Sequence, residues 1–290
     1  MEIEVSIITV NYNGLNDTCA LIDSIAFNKK LEVIVVDNGS SENEAEQISQ
    51  RYPHVKTIRS TQNLGFAGGN NLGLQQAQGR YLFFVNNDTF FKDFNIMSLT
   101  TRLDSSAEIG IVCPKIRFAW DENPIQYAGY TRLSRITLRN KSIGCGEPDF
   151  GQYNNPHPTS YAHGAAMMVQ RDAIEKVGLM PTCYFLYYEE IDWSIMFKRA
   201  GYTIWYEPAC TIYHKESKTT GQSSPLKTYY ITRNRLLFVH RNCQGLFKYL
   251  SYAYLITVVF IRDLIKNHSR NDLQKATWRG VRDFFKLSID

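Results

Sequence analysis

The chain has 290 residues, of which 44% are hydrophobic and 21% charged, and a formal net charge of +4. These are the values of an ordinary globular protein with one large domain or a domain and an appendage, which argues against a disordered chain. Six scattered cysteines without a CxxC pair argue against a zinc or disulfide framework and predict reduced thiols in a cytosolic protein. The charge is uneven, because residues 227–290 carry 12 Lys/Arg and 4 Asp/Glu, a net +8, while residues 1–226 carry 20 and 24, a net −4.

The first 90 residues alternate predicted strands with predicted helices. Strands are expected in VSIITV, LEVIVVD, VKTIRS and RYLFFV. Helices are expected at 16–27, after NGSSEN, and after the glycine-rich TQNLGFAGGNNLG. Strands that alternate with helices predict an α/β fold with a Rossmann-like, mostly parallel central sheet flanked by helices.

The pattern is less regular after residue 90. A helix is predicted at 94–103, strands in IGIVCPKIRF and GAAMMVQ, and a helix in EEIDWSIMFKRAG that ends at Gly201. Short strands are predicted in YTIWYEPACTIYH, and loops with short hairpins in residues 119–160, which are rich in Gly, Asn, Pro and Tyr. From about Pro225 the chain is predicted to be helical and basic.

A buried strand, YLFFV, ends abruptly in Asn86, Asn87 and Asp88. Ligands bind at strand ends of open α/β sheets, so Asp88 is either a ligand-binding group or a turn former. A dinucleotide-binding loop is not predicted, because NYNGLND lacks GxGxxG and GFAGGNNLG lacks the Lys-Ser/Thr of a P-loop. Asp37, at the end of the second strand, is positioned either to bind a ribose or a base or to cap the helix that follows.

Seven motifs occur in order over about 210 residues: VSIITVNYNG, VIVVDNGSSEN, NLGFAGGNNLG, FFVNND, HGAAMMVQRDAIEKVGLM, YYEEIDWSIMFKRAGY and TIYH. Together they closely resemble family 2 of the inverting glycosyltransferases, and within it the bacterial rhamnosyltransferase and galactofuranosyltransferase branch. The resemblance implies a GT-A fold and the transfer of a sugar, from dTDP-rhamnose or a UDP-sugar, to an acceptor hydroxyl with inversion at the anomeric carbon. It also implies a role in the synthesis of cell-surface polysaccharide.

The resemblance gives the residues after YLFFV a role, because the family carries a DxD motif there whose last Asp binds a divalent cation. Asp88 is the retained carboxylate, while Asn86 replaces the first Asp and is expected to form a hydrogen bond near the ribose. A hard cation, Mg²⁺ or Mn²⁺, suits an oxygen ligand and two phosphates. His214, which ends TIYH, matches a His that often completes this site, and an imidazole favours Mn²⁺. A structural role for His214 is the alternative.

The resemblance also assigns donor-binding residues. Those that match nucleoside-binding positions are Thr9, Asn11, Tyr12 and Asp37. Those that match a segment closing over the nucleotide and the donor sugar are Asn63, Gly65, Phe66, Gly69 and Asn70, and Asn86 and Asn87 complete the set. Glycine in this segment lets the backbone approach a ligand closely, or simply gives a flexible loop at the start of a helix.

Inversion by a single displacement requires a base that takes the proton of the acceptor hydroxyl. The family usually supplies the Asp of an ED pair before a helix. The pair here is Glu189-Glu190, so Glu190 stands at the base position with a side chain one methylene longer. Asp192 is the neighbouring catalytic candidate, with a helix cap or a salt bridge as its alternative role. Trp193 is expected in the core, and residues 163–166 resemble the strand that lines the pocket below the donor sugar.

The basic C-terminal segment has two interpretations. Aromatic and aliphatic residues beside Lys and Arg fit a helix on an anionic membrane, where polyprenyl diphosphate acceptors reside, and they fit packing on the catalytic domain equally well. Arg233, Asn234 and Arg235 are expected to approach the diphosphate or a lipid-linked acceptor. The expected partners are a nucleotide-sugar donor and a saccharide or lipid-linked saccharide acceptor, with peripheral contact to an anionic membrane and no nucleic acid.

These expectations divide the chain into a catalytic domain at 1–225, with a nucleotide-binding half at 1–90 and an acceptor half at 91–225, and a basic helical segment at 226–290. The N-terminal MEIEVSIITV predicts a strand and no signal peptide. The uncharged run at 249–261 is too short to span a bilayer. The expected location is the cytoplasm, at the inner face of the cell membrane.

Two other functions compete with sugar transfer. A nucleotide-sugar-binding protein of the same fold could have lost catalysis through the NND and EE changes, and measurable sugar transfer or donor hydrolysis would exclude it. A Rossmann-type oxidoreductase is disfavoured by the missing GxGxxG, and a lack of NAD(P) binding would exclude it.

Overall fold

The computed structural model describes residues 2–216, 224–266 and 270–287. Within them the strands are β1 Val5–Asn11, β2 Leu31–Asp37, β3 Lys56–Arg59, β4 Tyr81–Val85, β5 Thr89–Phe90, β6 Ile109–Phe118, β7 Ile125–Tyr127, β8 His157–Thr159, β9 Ala166–Gln170 and β10 Thr203–His214. The helices are α1 Leu15–Asp23, α2 Glu44–Arg51, α3 Gly65–Leu74, α4 Met97–Asp104, α5 Arg171–Val177, α6 Glu189–Arg199, α7 Pro225–Asn242, α8 Gly245–Tyr254, α9 Ile261–Lys266 and α10 Asn271–Phe284. A 3-10 turn covers Thr182–Tyr184, and the π-helical Leu255–Phe260 joins α8 to α9.

In the described residues the strands form one ten-stranded sheet. Its main path runs β3-β2-β1-β4-β9-β6-β10-β5, with β7 beside β6 and β8 beside β10. Strands β3, β2, β1 and β4 are parallel, as alternating strands and helices predict. β9 enters antiparallel between β4 and β6, so the second half of the sheet is mixed. The predicted α/β fold, a central sheet flanked by helices, is confirmed.

Burial explains the composition of the central strands. β2 and β4 have the sequences LEVIVVD and YLFFV, and nearly every residue of both is buried, as in parallel strands with helices on both faces. Because adjacent parallel strands end at the same edge, β1, β2 and β4 deliver Asn11, Asp37 and the residues after Val85 to one edge of the sheet.

The predicted short strands in YTIWYEPACTIYH form one long strand, β10. Its register against β6 shifts between Glu207 and Thr211, a bulge that contains Pro208. Proline has no N–H to donate to a sheet, and a bulge is one of the places where a strand accepts it. Beyond the bulge β10 continues to His214, which pairs with Thr89 of β5. The bulged strand thus carries His214 to the residues that follow β4.

The C-terminal segment packs on the rest of the protein through α7. Leu236, Phe238 and Val239 of α7 form a second hydrophobic core with Tyr184, which lies in the loop before α6. Packing on the catalytic domain, one of the two interpretations drawn from the sequence, therefore describes α7. No helix in the described part of the chain is both long enough and apolar enough to cross a bilayer.

Candidate active site

Asp88 and His214 meet at the edge of the sheet. The Nε2 atom of His214 lies 3.2 Å from Oδ1 of Asp88, and both side chains are largely buried. On the other side of the ring, Nδ1 of His214 lies 2.8 Å from Oε1 of Gln126, which follows the first residue of β7. Because an amide oxygen can only accept, Nδ1 is the donor in this contact, and in the neutral ring the lone pair is then on Nε2, toward the carboxylate. Sequence reasoning missed Gln126, for which no motif gives a signal.

The chemistry of this pair fits a divalent cation. No donor among the described residues reaches Nε2 of His214 with hydrogen-bond geometry, so when the ring is neutral two electron-pair donors face one another. A carboxylate oxygen and an imidazole nitrogen together form a donor set that suits Mn²⁺. The described residues contain no cluster of three or more His, Cys, Asp or Glu side chains able to hold a metal. A cation at Asp88 and His214 would therefore take its other ligands from substrate phosphates and water.

Residues 163–166 connect these groups with Glu190. The backbone N–H of Asn86 donates to the carbonyl oxygen of Ala165 at 2.9 Å. A Cβ at Gly164 would lie 3.7 Å from the Glu190 side chain, an ordinary van der Waals distance, so this side chain packs beside the backbone of Gly164. Residues 163–165, expected as a strand, form a turn before β9, and this turn lies beside both the segment that carries Asp88 and the proposed base.

The Glu189-Glu190 pair has unusual electrostatics. Burial, and then the charge of Glu190, raise the pKa of Glu189 to about 8. Burial also raises the pKa of Glu190. Glu189 is buried and its Oε2 has no hydrogen-bond partner among the described residues, whereas Glu190 is half-buried. Near neutral pH Glu189 is therefore mainly protonated, and a base with a raised pKa, such as Glu190, is well matched to proton abstraction.

Two aromatic side chains border the proposed base. Tyr130 stacks on His163 with their rings 5.7 Å apart. Burial, and then the charge of Glu190, raise the pKa of Tyr130, which keeps its hydroxyl protonated. Burial, and then the charge of His214, lower the pKa of His163 to about 3, so this ring stays neutral. Tyr130 was not singled out from the sequence, because it lies in a loop without a recognisable motif.

Asp192 lies in a different environment. It is 1% exposed, and its Oδ2 accepts hydrogen bonds from Tyr184 (3.0 Å) and from Nε of Arg241 (2.7 Å). Its Oδ1 accepts from Asn242 at 2.8 Å. With both oxygens occupied, Asp192 joins α6 to α7, which is the salt-bridge role that the sequence left open. Trp193 is buried, as expected for a core residue.

The predicted nucleoside-binding residues of β1 lie at its carboxyl end. Thr9 is buried and its Oγ1 has no hydrogen-bond partner among the described residues, while Tyr12 is 44% exposed. Asn11 donates to Glu44 at 2.6 Å and accepts from Thr18 at 2.7 Å. The Asn87 amide donates to the same Thr18 at 3.0 Å. Asn11 and Asn87 therefore brace the strand ends, and their donor-binding role stays a prediction.

Asp37 uses both carboxylate oxygens within its own loop. They accept backbone N–H groups of Ser40 at 3.1 Å and of Ala45 at 3.3 Å. Ala45 lies in the first turn of α2, so these contacts agree with the capping alternative for Asp37. The next residue, Asn38, reaches further, because its amide donates to the carbonyl oxygen of Gly65 at 3.0 Å. Asn38 stands in the motif VIVVDNGSSEN, which could have identified it.

The glycine-rich segment is held rigidly. The N–H of Phe66 donates to the carbonyl oxygen of Phe185 at 2.8 Å, and Gly65 has a φ of +75°. A Cβ at Gly65 would lie 2.3 Å from that same oxygen, so only glycine permits the contact. Asn63 accepts from the N–H of Gly65, the buried Asn70 donates to the carbonyl oxygen of Phe66, and Gly69 packs on Val10. The segment is thus a fixed helix start that contacts the loop before Glu190.

Residues 233–235 organise that same loop. The amide of Asn234 donates to the carbonyl oxygens of Tyr184, Leu186 and Tyr187 at 3.0, 2.7 and 2.9 Å. Arg233 and Arg235 bind the same loop, at the carbonyl oxygen of Cys183 (3.3 Å) and the hydroxyl of Tyr188 (2.8 Å). These residues were expected to approach the diphosphate or the acceptor. In the described chain these hydrogen bonds join them to the loop that precedes α6, and Nε of Arg233 also donates to Oδ1 of Asn234 at 2.8 Å.

The chain is similar in sequence to known proteins over much of its length. Residues 6–178 match the family model described as Glycosyl transferase family 2. A low-salt glycan biosynthesis hexosyltransferase of Haloferax volcanii, Agl10, is 28% identical over 243 residues, which are 81% of this chain and 75% of that one. An N-acetylglucosaminyl-diphospho-decaprenol L-rhamnosyltransferase of Mycobacterium tuberculosis is 22% identical over 221 residues, 69% and 71% of the two chains.

Solved structures show the same fold at low identity. TarS of S. aureus, determined with UDP-GlcNAc, has a TM-score of 0.61 at 16% identity, over 98% of this chain and 81% of that one. The mannosyltransferase PcManGT from Pyrobaculum calidifontis, determined with GDP-Man and Mn²⁺, has a TM-score of 0.58 at 14% identity, over 100% and 77%. The fold is that of the GT-A glycosyltransferases. The chain belongs to glycosyl transferase family 2.

Proposed function

We propose that the protein transfers a sugar from a nucleotide-diphosphate donor to an acceptor hydroxyl in one inverting displacement, in the synthesis of a cell-surface polysaccharide. A UDP-sugar or dTDP-rhamnose is the proposed donor. The observation that carries the proposal is the meeting of Asp88 and His214 at 3.2 Å, linked through Ala165 and Gly164 to the carboxylate of Glu190. A phosphate-binding group and a base are the two functions that such a reaction needs.

In the proposed reaction Glu190 takes the proton of the acceptor hydroxyl while the oxygen bonds to the anomeric carbon. The bond between that carbon and the diphosphate breaks, and the diphosphate leaves with its electron pair. Glu190 suits this role because its pKa is raised by burial and because Glu189 is largely protonated near neutral pH. Asp192 is not the proposed base, since both of its oxygens accept hydrogen bonds from α7 or the loop before α6.

Asp88 and His214 would hold Mn²⁺ or Mg²⁺, which when bound neutralises charge on the leaving diphosphate. Gln126 fixes the His214 ring for this purpose. Thr9 supports the donor assignment, because its buried hydroxyl has no partner among the residues that the structure describes and lies at the strand end where a nucleoside would lie. Two neighbours of the same fold were determined with Mn²⁺ and with either UDP or a nucleotide sugar.

Peripheral contact with an anionic membrane at the cytoplasmic face is part of the proposal. The continuous helix formed by α8, the π segment and α9 exposes an apolar stripe, and Leu246, Tyr249 and Ile265 are each about 70% exposed. Leu246 and Tyr249 are three residues apart, and Ile261 and Ile265 are four apart, so each exposed pair lies on one side of its part of the helix, as in a helix that lies in a membrane interface. The net charge of +8 after residue 226 favours anionic lipids.

A donor panel tests the proposed function. Thermal unfolding is measured with UDP-, dTDP- and GDP-sugars, with and without Mn²⁺, and each stabilising donor is then assayed for transfer and hydrolysis. We expect one donor to stabilise the wild type in a Mn²⁺-dependent way. Asp88→Ala should lose this Mn²⁺ dependence, and the exposed control Asp93→Ala should keep it. Donor binding without transfer or hydrolysis would favour the catalytically inactive binding protein, and no binding of any donor would contradict the proposal.

A further inference from the structure

A cleft of about 340 Å³ lies beside α6. Neither Asp88 nor His214 is among the residues that line it. It is bounded by the loop at 133–138, by α6 and by the junction of α7 and α8. Its walls are mainly apolar, with contributions from Leu133, Leu138, Tyr161, Ile195, Phe238 and Phe247. We call this cleft the cationic groove because of the side chains at its rim.

Cations lie against the aromatic walls of the groove. The guanidinium of Arg135 lies 5.5 Å from the ring centre of Phe247, and Nζ of Lys198 lies 4.8 Å from that of Tyr161. In each pair the charged group itself lies against an aromatic ring of the groove wall. The groove therefore combines an apolar interior with a positive rim.

The rim is not neutralised by the protein. Burial, and then the charge of Arg132, lower the pKa of Lys198, so these two cations are close neighbours. Lys248 and Arg199 likewise act on the Cys243 thiol, which lines the groove and whose pKa burial raises. Within the described ranges, none of these four cations or Arg135 forms an ion pair. Clustered positive charge without a carboxylate partner indicates an anionic ligand.

The groove and the proposed base share helix α6. Ile195, in the groove wall, is five residues after Glu190, a rise of about 7.5 Å along the helix axis and a turn of about 140° around it. On the opposite wall, the loop that carries Leu133 begins just after Tyr130. The charge of Glu190 contributes to the raised pKa of Tyr130. At its other end the groove reaches Phe247 on α8, where the exposed apolar stripe starts. A ligand in the groove would therefore extend from the base toward that stripe.

We propose that the cationic groove binds the phosphate-bearing lipid part of the acceptor, with the phosphate or diphosphate at Arg132, Arg135 and Lys198 and the first lipid units against the apolar walls. This inference rests on the proposed function, because the occupant of the groove is the acceptor of the proposed reaction. It adds the groove as the binding site of that acceptor and names the residues that bind it. An anionic head joined to an apolar chain matches both halves of the groove. A free phosphate would make no contact with the apolar walls, and a neutral lipid would bring no negative charge to the cations.

The test uses farnesyl diphosphate as the probe, bound to the full chain in EDTA so that the divalent-cation site cannot take the diphosphate. The variant is Arg132→Glu/Lys198→Glu, whose side chains are exposed, and the matched control is Lys29→Glu, an exposed lysine outside the groove. We expect the double variant to bind farnesyl diphosphate at least about tenfold more weakly than the wild type, while Lys29→Glu binds normally. Inorganic diphosphate and farnesol should each bind the wild type at least about tenfold more weakly than farnesyl diphosphate.

Equal binding by the double variant and the wild type would overturn the proposal, as would equal affinity for farnesyl diphosphate and inorganic diphosphate. A thermal-unfolding curve of the double variant confirms that it is folded before its affinity is compared. Because the assay contains neither donor nor metal, it is independent of turnover. Binding in the groove without any turnover of donor would support the groove and contradict the proposed function. Turnover of donor without binding in the groove would support the proposed function and contradict the groove.

Discussion

The side-chain amide of Asn234 donates to the backbone carbonyl of Tyr187, two residues before the Glu189-Glu190 pair, at 2.9 Å. The same amide binds the carbonyl oxygen of Tyr184 at 3.0 Å. Between and beside these carbonyls, Phe185, Tyr187 and Tyr188 have φ values of 69°, 70° and 81°. Left-handed backbone is costly for such residues and persists only where its surroundings impose it. Helix α7 therefore fixes the loop that positions the proposed base.

Asn234→Ala is expected to lower the free energy of unfolding by about 2–4 kcal/mol, because carbonyl oxygens in the loop lose their donor. Asn234→Asp should lower the free energy of unfolding more than Asn234→Ala does, since a carboxylate would face carbonyl oxygens to which it cannot donate a hydrogen bond. Denaturant unfolding checks this order. Asn271→Asp, an exposed site in the first turn of α10, is the matched control and should be neutral. Equal stability of Asn234→Asp and the wild type would show that the amide does not hold the loop.

Gln126→Leu is expected to weaken Mn²⁺ binding by about 10–100-fold, the usual effect of removing the partner that orients a ligating histidine. Its Oε1 accepts from Nδ1 of His214 at 2.8 Å. Mn²⁺ titration in the presence of the donor nucleotide, followed by paramagnetic resonance, measures the affinity. Gln78→Leu, on the surface, serves as the control. Unchanged Mn²⁺ affinity in Gln126→Leu would mean that His214 is not a ligand.

Local patterns in the sequence predict much of this architecture. Runs such as YLFFV identify buried strands, and because parallel strands end at one edge, Asp88 could be placed at that edge of the sheet before any coordinates, while its role as a metal ligand stays a prediction. The insertion of β9 between β4 and β6 could not be predicted, because register depends on packing between distant segments. The same holds for Asp192, whose partner Arg241 is on another helix. The sequence around Asp192 is compatible with a base and with a salt bridge, and only the fold distinguishes between the two roles.

The buried carboxyl of Glu189 makes stability depend on pH. Its pKa is raised from 4.5 to about 8, so between these values the folded protein keeps a proton that the unfolded chain releases. Stability contributed by this group is therefore complete below about pH 4.5 and lost as the pH rises to about 8. Glu189→Gln should lose this dependence and gain stability over the wild type as the pH increases. Thermal unfolding from pH 5 to 8 tests it against the exposed control Glu175→Gln, and parallel curves for Glu189→Gln and the wild type would contradict the prediction.

The apolar stripe should bind membranes. Leu246→Asp/Ile265→Asp is expected to reduce sedimentation with anionic vesicles by at least about tenfold, because two exposed anchors are replaced by charges on a helix lying in the interface. Phe150→Asp, at a residue 87% exposed elsewhere in the protein, is the matched control and should bind like the wild type. High salt should also weaken the wild type, since each basic residue near an anionic surface contributes about 1 kcal/mol. Equal sedimentation with neutral and anionic vesicles would count against membrane contact.

Glu190 as the base is the central claim, and the turnover of Glu190→Gln beside that of Glu189→Gln tests it most directly. A positioned base contributes about 10²–10⁴-fold, so Glu190→Gln should lose about that factor in kcat while it binds donor and Mn²⁺ normally. Glu189→Gln should stay active, because an amide replaces a carboxyl that is already mostly protonated near neutral pH. Asp192→Asn should be less stable yet retain turnover per folded molecule, since its oxygens bind Arg241 and Asn242. A freely active Glu190→Gln together with a folded but inactive Asp192→Asn would instead assign the base to Asp192 and contradict the account.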